Sequence, residues 1–360
     1  MTLKKLSKEL GVSPSTISRV LNGDTHNFTI PDALRQRILE HVQKTGYQPN
    51  LVFSSLRKQK IRQIAILFYS RSSLGVGYTF DMMVDRASRF FEDEDYDISF
   101  VFTHQQKKTS KFLLPPWKCN GLLVPDSGAL DRLSIVDASG IPYVCMNGFS
   151  GPNGTAVIAD ENDSMEKILK YLFKLGHRKI AYVIRDYPER KKEISGHNID
   201  FLRHEQFFKT CGELSILPFM VYVYPGFIAN TFIGAKFCCG HGAPVIHYEN
   251  PDFTINIMQS GITAVICTDD FVTELLYWAN KSDIKVPQDL SIVSYNDLPF
   301  MRKFVPTITS FRIPAEEMGA TAAQILLKKI QENPEYMKNE TVKLQGNLVF
   351  RESTAPPRSC

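Results

Sequence analysis

The sequence predicts an α/β protein in two parts, a small helix-turn-helix headpiece followed by a larger two-lobed domain built on parallel sheets. Three observations carry this reading. Residues 10–23 read LGVSPSTISRVLNG, a helix start placed directly after a tight turn. Basic charge is gathered at the same end of the chain. From Gln63 onward, apolar runs of four to six residues alternate with helical stretches, the pattern of parallel strands covered by helices.

In the headpiece, Gly11 permits the turn, Ser13 stands where it can cap, and Pro14 occupies the first helical position, where its missing N–H costs nothing. A helix is therefore predicted over Pro14–Leu21. Ile17, Val20 and Leu21 recur at helical spacing and are expected to pack on Leu3, Leu6 and Leu10 of a preceding helix. That leaves Ser15, Thr16, Ser18, Arg19 and Asn22 facing outward, a set of hydroxyls, one guanidinium and one amide suited to phosphates and base edges. After the polar loop DTHNFT, a third helix is predicted over about Pro31–Lys44, with Leu34, Ile38, Leu39 and Val42 on one face closing a three-helix core. GYQPN at 46–50 stops it, and LVFSSLRK follows as one short, weakly hydrophobic helix in a linker that can order.

Charge supports the same division. Residues 1–62 hold 11 Lys+Arg against 4 Asp+Glu, a net +7, whereas the whole chain carries +4. The remainder is thus net −3, and the attraction for phosphate belongs to the N-terminal end. A composition with 43% hydrophobic and 22% charged residues over 360 positions is that of a globular protein large enough for two or three domains. No long apolar run or signal-like start is present, so a cytoplasmic protein without a membrane association is expected. The seven cysteines (119, 145, 211, 238, 239, 267 and 360) form no C-x-x-C pair and read as buried thiols. Cys238, Cys239, His241 and His247 cluster loosely, but adjacent cysteines are awkward tetrahedral ligands, and no metal or cofactor is expected.

Beyond the linker, the strand runs are IAILF, ISFVF, GLLV and PYVCM, with a helix around Phe80–Phe91 among them. A helix over about Ser164–Leu175 ends at Gly176. IAYVI, a helix near Phe201–Cys211, MVYVY, AVIC, a helix over Phe271–Ala279 and LSIVSY then repeat the alternation. Two lobes follow from this, with ligands expected at the carboxyl ends of their strands. A helix near Gly319–Ile330 and the strand-like KLQGNLVFRES are left to return to each lobe in turn.

GVSPSTISRVLNG, IPDALRQRI, GYQPN, LGHRKIAYV, AVICTDD, LSIVSYND and LVFREST stand in the order found in the LacI/GalR family of bacterial transcription regulators, which the chain resembles nearly end to end. The resemblance implies a dimeric repressor that binds double-stranded operator DNA. It implies a headpiece at 1–48, a hinge helix at 49–61 entering the minor groove, and a two-lobed effector domain at 62–360. Three passages between the lobes are implied, placing one lobe at about 62–175 and 313–343 and the other at about 177–311 and 346–360. Pro14, Ser15 and Arg19 match the family's base-reading positions, with Arg19 able to donate two bonds to a guanine edge. Ser13, Thr16, Ser18 and Asn22 fit phosphate positioning. Asn50, Val52, Ser54, Ser55 and Leu56 match the hinge, with Leu56 as the wedge. Phe53 departs from the family's usual alanine, so it either wedges DNA as well or alters the hinge.

The resemblance also implies an effector site between the lobes. Arg203 in FLRHEQFF matches the effector-binding arginine, Asp269 and Asn296 match two other polar positions, and Asp163, Ser70 and Phe80 match positions of the first lobe. Arginine, carboxylates, amides and a ring are what a sugar or similar polyol requires. Asp270 reads instead as the cap of the helix beginning at Phe271. Gln206 replaces the family's glycine, and residues 218–247 are longer and more aromatic than usual. An insertion inside a lobe is usually a surface feature, though one rich in Tyr, Phe and Cys could cover the cleft or widen the dimer contact. The expected function is a ligand-responsive repressor of a carbohydrate-utilisation operon. The alternative is a sugar-binding or sugar-processing α/β protein with an incidental basic N-terminus. Against catalysis, there is no Gly-rich phosphate loop, no G-x-S-x-G and no HExxH.

Overall fold

The computed structural model describes residues 3–21, 30–45, 62–68, 78–102, 119–125, 130–185, 199–225, 232–239, 246–249 and 258–358. Its internal contacts divide the chain into two units, Met1–Ile61 and Arg62–Cys360. The predicted linker helix, with Asn50, Phe53 and Leu56, lies outside the described residues, as do Asn22 and Ser70.

The first unit holds three helices, α1 (Leu3–Leu10), α2 (Pro14–Leu21) and α3 (Asp32–Thr45). Leu6, Leu10, Ile17, Val20 and Ile38 are buried together, with Leu21, Leu34 and Val42 partly buried around them. Leu39, expected on this face, is 40% exposed. Leu34, Ile38 and Val42 are spaced by four and already fill the seam, and Leu39 lies one residue beyond it. Gly11 takes φ +66°, the left-handed turn that a side chain would strain. The Arg37 guanidinium donates to the Leu10 carbonyl at 2.5 Å, satisfying an orphan acceptor at the end of α1.

In the second unit the strands form two sheets. The first has six parallel strands in the order β13-β5-β4-β3-β1-β2, from β1 (Gln63–Phe68), β2 (Asp97–Phe102), β3 (Gly121–Pro125), β4 (Tyr143–Met146), β5 (Thr155–Ala159) and β13 (Glu340–Leu344). The second has eight in the order β14-β12-β11-β10-β6-β7-β8-β9. Its parallel centre is β6 (Lys179–Arg185), β7 (Leu217–Pro225), β10 (Ala264–Thr268), β11 (Ser291–Asn296) and β12 (Thr309–Arg312). The antiparallel strands β14 (Asn347–Val349), β8 (Phe232–Cys239) and β9 (Ile246–Glu249) flank it. The long insertion thus continues the second sheet at one edge.

Helices α4 (Tyr78–Asp93), α5 (Leu130–Asp137) and α9 (Ala315–Gln331) belong with the first sheet, and α7 (Ile199–Glu213) and α8 (Asp269–Lys281) with the second. Helix α6 (Glu161–Leu175) begins where the chain leaves the first sheet. Its Met165, Ile168, Leu169 and Leu172 share one core with Phe207 and Cys211 of α7. The chain passes between the sheets three times, after β5, after β12 and between β13 and β14. These passages touch. The Asp160 N–H donates to the Leu344 carbonyl at 2.8 Å, and a Cβ on Gly346 would fall 2.4 Å from the Arg312 carbonyl oxygen. Among the described residues no helix is long and apolar enough to cross a membrane.

The C-terminal segment returns across the second sheet and is held by His177, whose ring bonds the Thr263 hydroxyl at 2.8 Å and the Ala355 carbonyl at 3.0 Å. Burial pushes the His177 pKa down from 6.5 to about 4. The unfolded chain therefore binds a proton that the folded one refuses, and the neutral ring's contribution is lost as pH falls from 6.5 through 4. Substituting His177→Gln is expected to flatten that part of the stability profile, measured as the difference in urea midpoint between pH 7.5 and pH 5.

Candidate functional site

The DNA-facing chemistry starts at the Ser13 cap. Ser13 Oγ accepts the Thr16 N–H at 3.1 Å and lies 2.8 Å from the hydroxyls of both Ser15 and Thr16. Three hydroxyls are thereby gathered at the N-terminus of α2, where the helix dipole favours anions. Ser13, Pro14 and Ser15 are exposed, and Thr16, Ser18 and Arg19 are partly exposed on the side of α2 away from Ile17 and Val20.

In the second unit, the strand-end residues separate into three groups. Asp269 directly follows β10, and Asn296 ends the neighbouring strand β11. Asp269 is 1% exposed and accepts the Leu298 N–H at 2.6 Å. Burial raises its pKa from 3.8 to about 7, against the lowering effect of that bond. Asp270 does not cap the helix. Thr268 precedes α8, which begins at Asp269, so Asp270 sits within the first turn and accepts the Thr268 hydroxyl.

Asn296 takes φ +100° and lines a cavity of about 630 Å³ together with Thr79 and Met82 of α4, Arg302, Arg312 and Gln345. The volume lies within the ~300–1,000 Å³ of small-molecule sites. Phe80, partly buried, belongs to the same first turn of α4. Beside Asn296, Asp297 clamps the passages. Its carboxylate pairs with Arg312 at 2.7 Å and with Arg351 at 2.7 Å. Burial alone would raise its pKa, but hydrogen bonds from Arg351 and Arg312 hold it below the ordinary carboxylate value.

Arg203 is engaged elsewhere. It is 5% exposed, and its Nε and Nη2 donate to the two oxygens of Glu161 at 2.8 and 2.9 Å. The Tyr295 hydroxyl donates to the same carboxylate at 2.5 Å, and the guanidinium carbon lies 3.9 Å from the Tyr295 ring centroid. Burial opposes the arginine's charge, yet the Glu161 carboxylate outweighs it and raises the Arg203 pKa well above its usual value. Burial, then the Glu161 charge, push the Tyr295 hydroxyl up as well. Asp163, two residues along α6, pairs with Lys167 at 2.5 Å. Among the described residues, no group of three or more His, Cys, Asp or Glu gathers as a metal site.

Glu161, Tyr295 and Asp297 are absent from the sequence-derived site. A partner 42 residues away leaves no periodic mark, and Tyr295 reads simply as the end of an apolar strand. The available signal was ADEND, where Glu161 precedes Asp163 at a helix start.

Two family models match. Residues 2–50 match "Bacterial regulatory proteins, lacI family", and residues 169–354, half of the chain, match "Periplasmic binding protein-like domain". The chain belongs to the lacI family of bacterial regulatory proteins. Within it, the chain is 23% identical over 359 residues to the probable HTH-type transcriptional repressor ExuR of Bacillus subtilis, covering 95% of this chain and 98% of the relative. It is 23% identical to the ribose operon repressor of Haemophilus influenzae, with 98% of each chain covered. Among solved structures, the Lac repressor dimer bound to operator and the anti-inducer ONPF superposes with TM-score 0.74 at 19% identity, covering 99% of both chains. The complex of the transcriptional regulator CelR with cellobiose gives 0.62 at 18%, covering 98% of this chain and 99% of that one. These likenesses establish the fold of the family for this chain.

Two outcomes follow from the buried groups. Arg203→Ala strands the Glu161 carboxylate and is expected to destabilise the fold by ~3–5 kcal/mol, whereas Glu161→Gln, which retains an acceptor, costs less; urea unfolding of both variants measures the difference. For Asp269 the sign is opposite to His177. The folded state binds its proton more tightly, so this group's favourable contribution is lost as pH rises through about 7. Asp269→Asn should therefore gain in midpoint over the parent as pH goes from 5 to 8.

Proposed function

We propose that the chain is a transcriptional repressor that binds a pseudo-palindromic operator as a homodimer and is controlled by a small sugar-like effector held between the two sheets. One observation carries the reading. A capped recognition helix and a two-sheet domain with three touching passages and a small-molecule-sized cavity occur in one chain. The lacI-family relatives named above are repressors, and the solved relatives include an operator complex and a cellobiose complex.

On this reading Arg19 reads a base edge, with Pro14 and Ser15 in short-range contact, while Ser13, Thr16, Ser18 and Asn22 position phosphates. Asn50, Phe53 and Leu56 belong to a hinge that orders on DNA in the cytoplasm. Asn296 and Phe80 meet the effector at the cavity, and Asp269, Asp163 and Ser70 are the further candidates that the family resemblance supplies. Arg203 contributes only through what its pairing with Glu161 leaves over. Effector binding changes the angle between the sheets and loosens specific binding. No catalytic step is assigned.

The test is binding of the full chain to DNA from upstream of its own gene, with and without sugars found by thermal shift. Arg19→Ala is expected to weaken specific binding by ~1–3 kcal/mol and non-specific binding much less. Equal losses on both DNAs would make Arg19 a phosphate contact. A sugar that stabilises the protein without changing operator affinity would contradict the proposed control.

A further inference from the structure

The Glu161–Arg203–Tyr295 cluster carries a statement about which effectors the cleft accepts. This rests on the reading of the cleft as an effector site. A guanidinium binds a carboxylate best through two parallel bonds, and an arginine open to ligand would draw acids or phosphates. Here that edge is already taken. Nε and Nη2 both donate to Glu161, and the face of the guanidinium lies on Tyr295. Glu161 is the first residue of α6, directly after the passage at Asp160, and Tyr295 precedes Asn296 at the end of β11. The cluster thus lies where the chain passes between sheets, and Tyr295 is one residue from Asn296, which lines the cavity.

We infer that Glu161 is a specificity-determining residue: by occupying the bidentate edge of Arg203 it reserves the cleft for uncharged, hydroxyl-bearing effectors and turns away carboxylated or phosphorylated ones. An incoming acid has two routes to Arg203, and both are unfavourable. Displacing Glu161 leaves a buried carboxylate with the Tyr295 hydroxyl alone, and binding alongside it sets two anions against one cation out of water. A neutral polyol meets neither obstacle, because the charge of Arg203 is balanced before it arrives.

The experiment has two arms on the full chain, comparing the parent with E161A and E161Q. In the first, thermal shift is followed against sodium formate with sodium chloride at matched ionic strength. Formate should stabilise E161A by refilling the vacated edge of Arg203 and leave the parent unchanged. Equal stabilisation of the parent, or none of E161A, overturns the proposal. If E161A does not fold, the second arm, which uses E161Q, carries the test. In the second, calorimetry compares glucose, galactose, ribose and cellobiose with glucuronate, galacturonate, glucose 6-phosphate and ribose 5-phosphate. The parent should favour a neutral sugar, and E161Q should shift the ratio toward the matching acid by about tenfold or more. A parent that binds an acid or phosphate at least as tightly as its neutral counterpart overturns the proposal. Formate rescue of E161A with no sugar of either class bound by the parent would uphold the role of Glu161 at Arg203 and refute the sugar reading instead.

Discussion

Three short segments passing side by side between two sheets are the constraint on which the second unit is built. The first and third passages are bonded through Asp160 and Leu344, and the third lies against the second where Gly346 meets the Arg312 carbonyl. Asp297 reinforces the arrangement by drawing Arg312 and Arg351 onto one carboxylate. A change in the angle between sheets must be absorbed at these few residues. Asn296 and Glu161, both proposed as ligand-sensing, are attached to a passage or to the strand end beside it.

The same geometry explains why the buried charges are where they are. Glu161 opens a helix immediately after a passage, so its carboxylate sits in the favourable field of the first turn and faces α7 and β11 together. An ion pair in that position joins three elements of the second sheet's side. Removing one partner is costly, while the pair itself adds little to stability. Its value is in orientation and in balancing the charge of Arg203. Asp269 illustrates the other outcome of burial. Burial outweighs the hydrogen bonds from Ser294 and the Leu298 N–H, so its proton is held to near neutral pH.

Much of the fold was legible because local rules and packing agree. Pro14–Leu21 was predicted and found at the same bounds, since turn, cap and apolar spacing all point to one answer. Helix α6 ends before Gly176 as expected, although it begins at Glu161, three residues earlier than its apolar spacing suggested, because Asp160 caps it by accepting the Asp163 N–H. The strand TAVIA at 155–159 escaped notice, and it pairs with β13, which is distant in sequence. Asn296, named through the family resemblance, lines the cavity. The engagement of Arg203 was not, because motif matching assigns a side chain to a position and is blind to the Glu161 partner that captures it. The insertion could be seen as extra length, but its pairing as strands β8 and β9 depended on an open sheet edge that the sequence does not display.

The central claim is coupling between a DNA-binding headpiece and a ligand-binding domain in one chain. Coupling of equilibrium affinities is reciprocal, so it can be read from the ligand side. The most direct measurement is the affinity of the full chain for a stabilising sugar, taken by calorimetry with and without saturating operator DNA. The account predicts that operator weakens sugar binding by the same factor by which the sugar weakens operator binding, ~5–150-fold for typical allosteric coupling. Identical sugar affinities in the presence and absence of operator would contradict it.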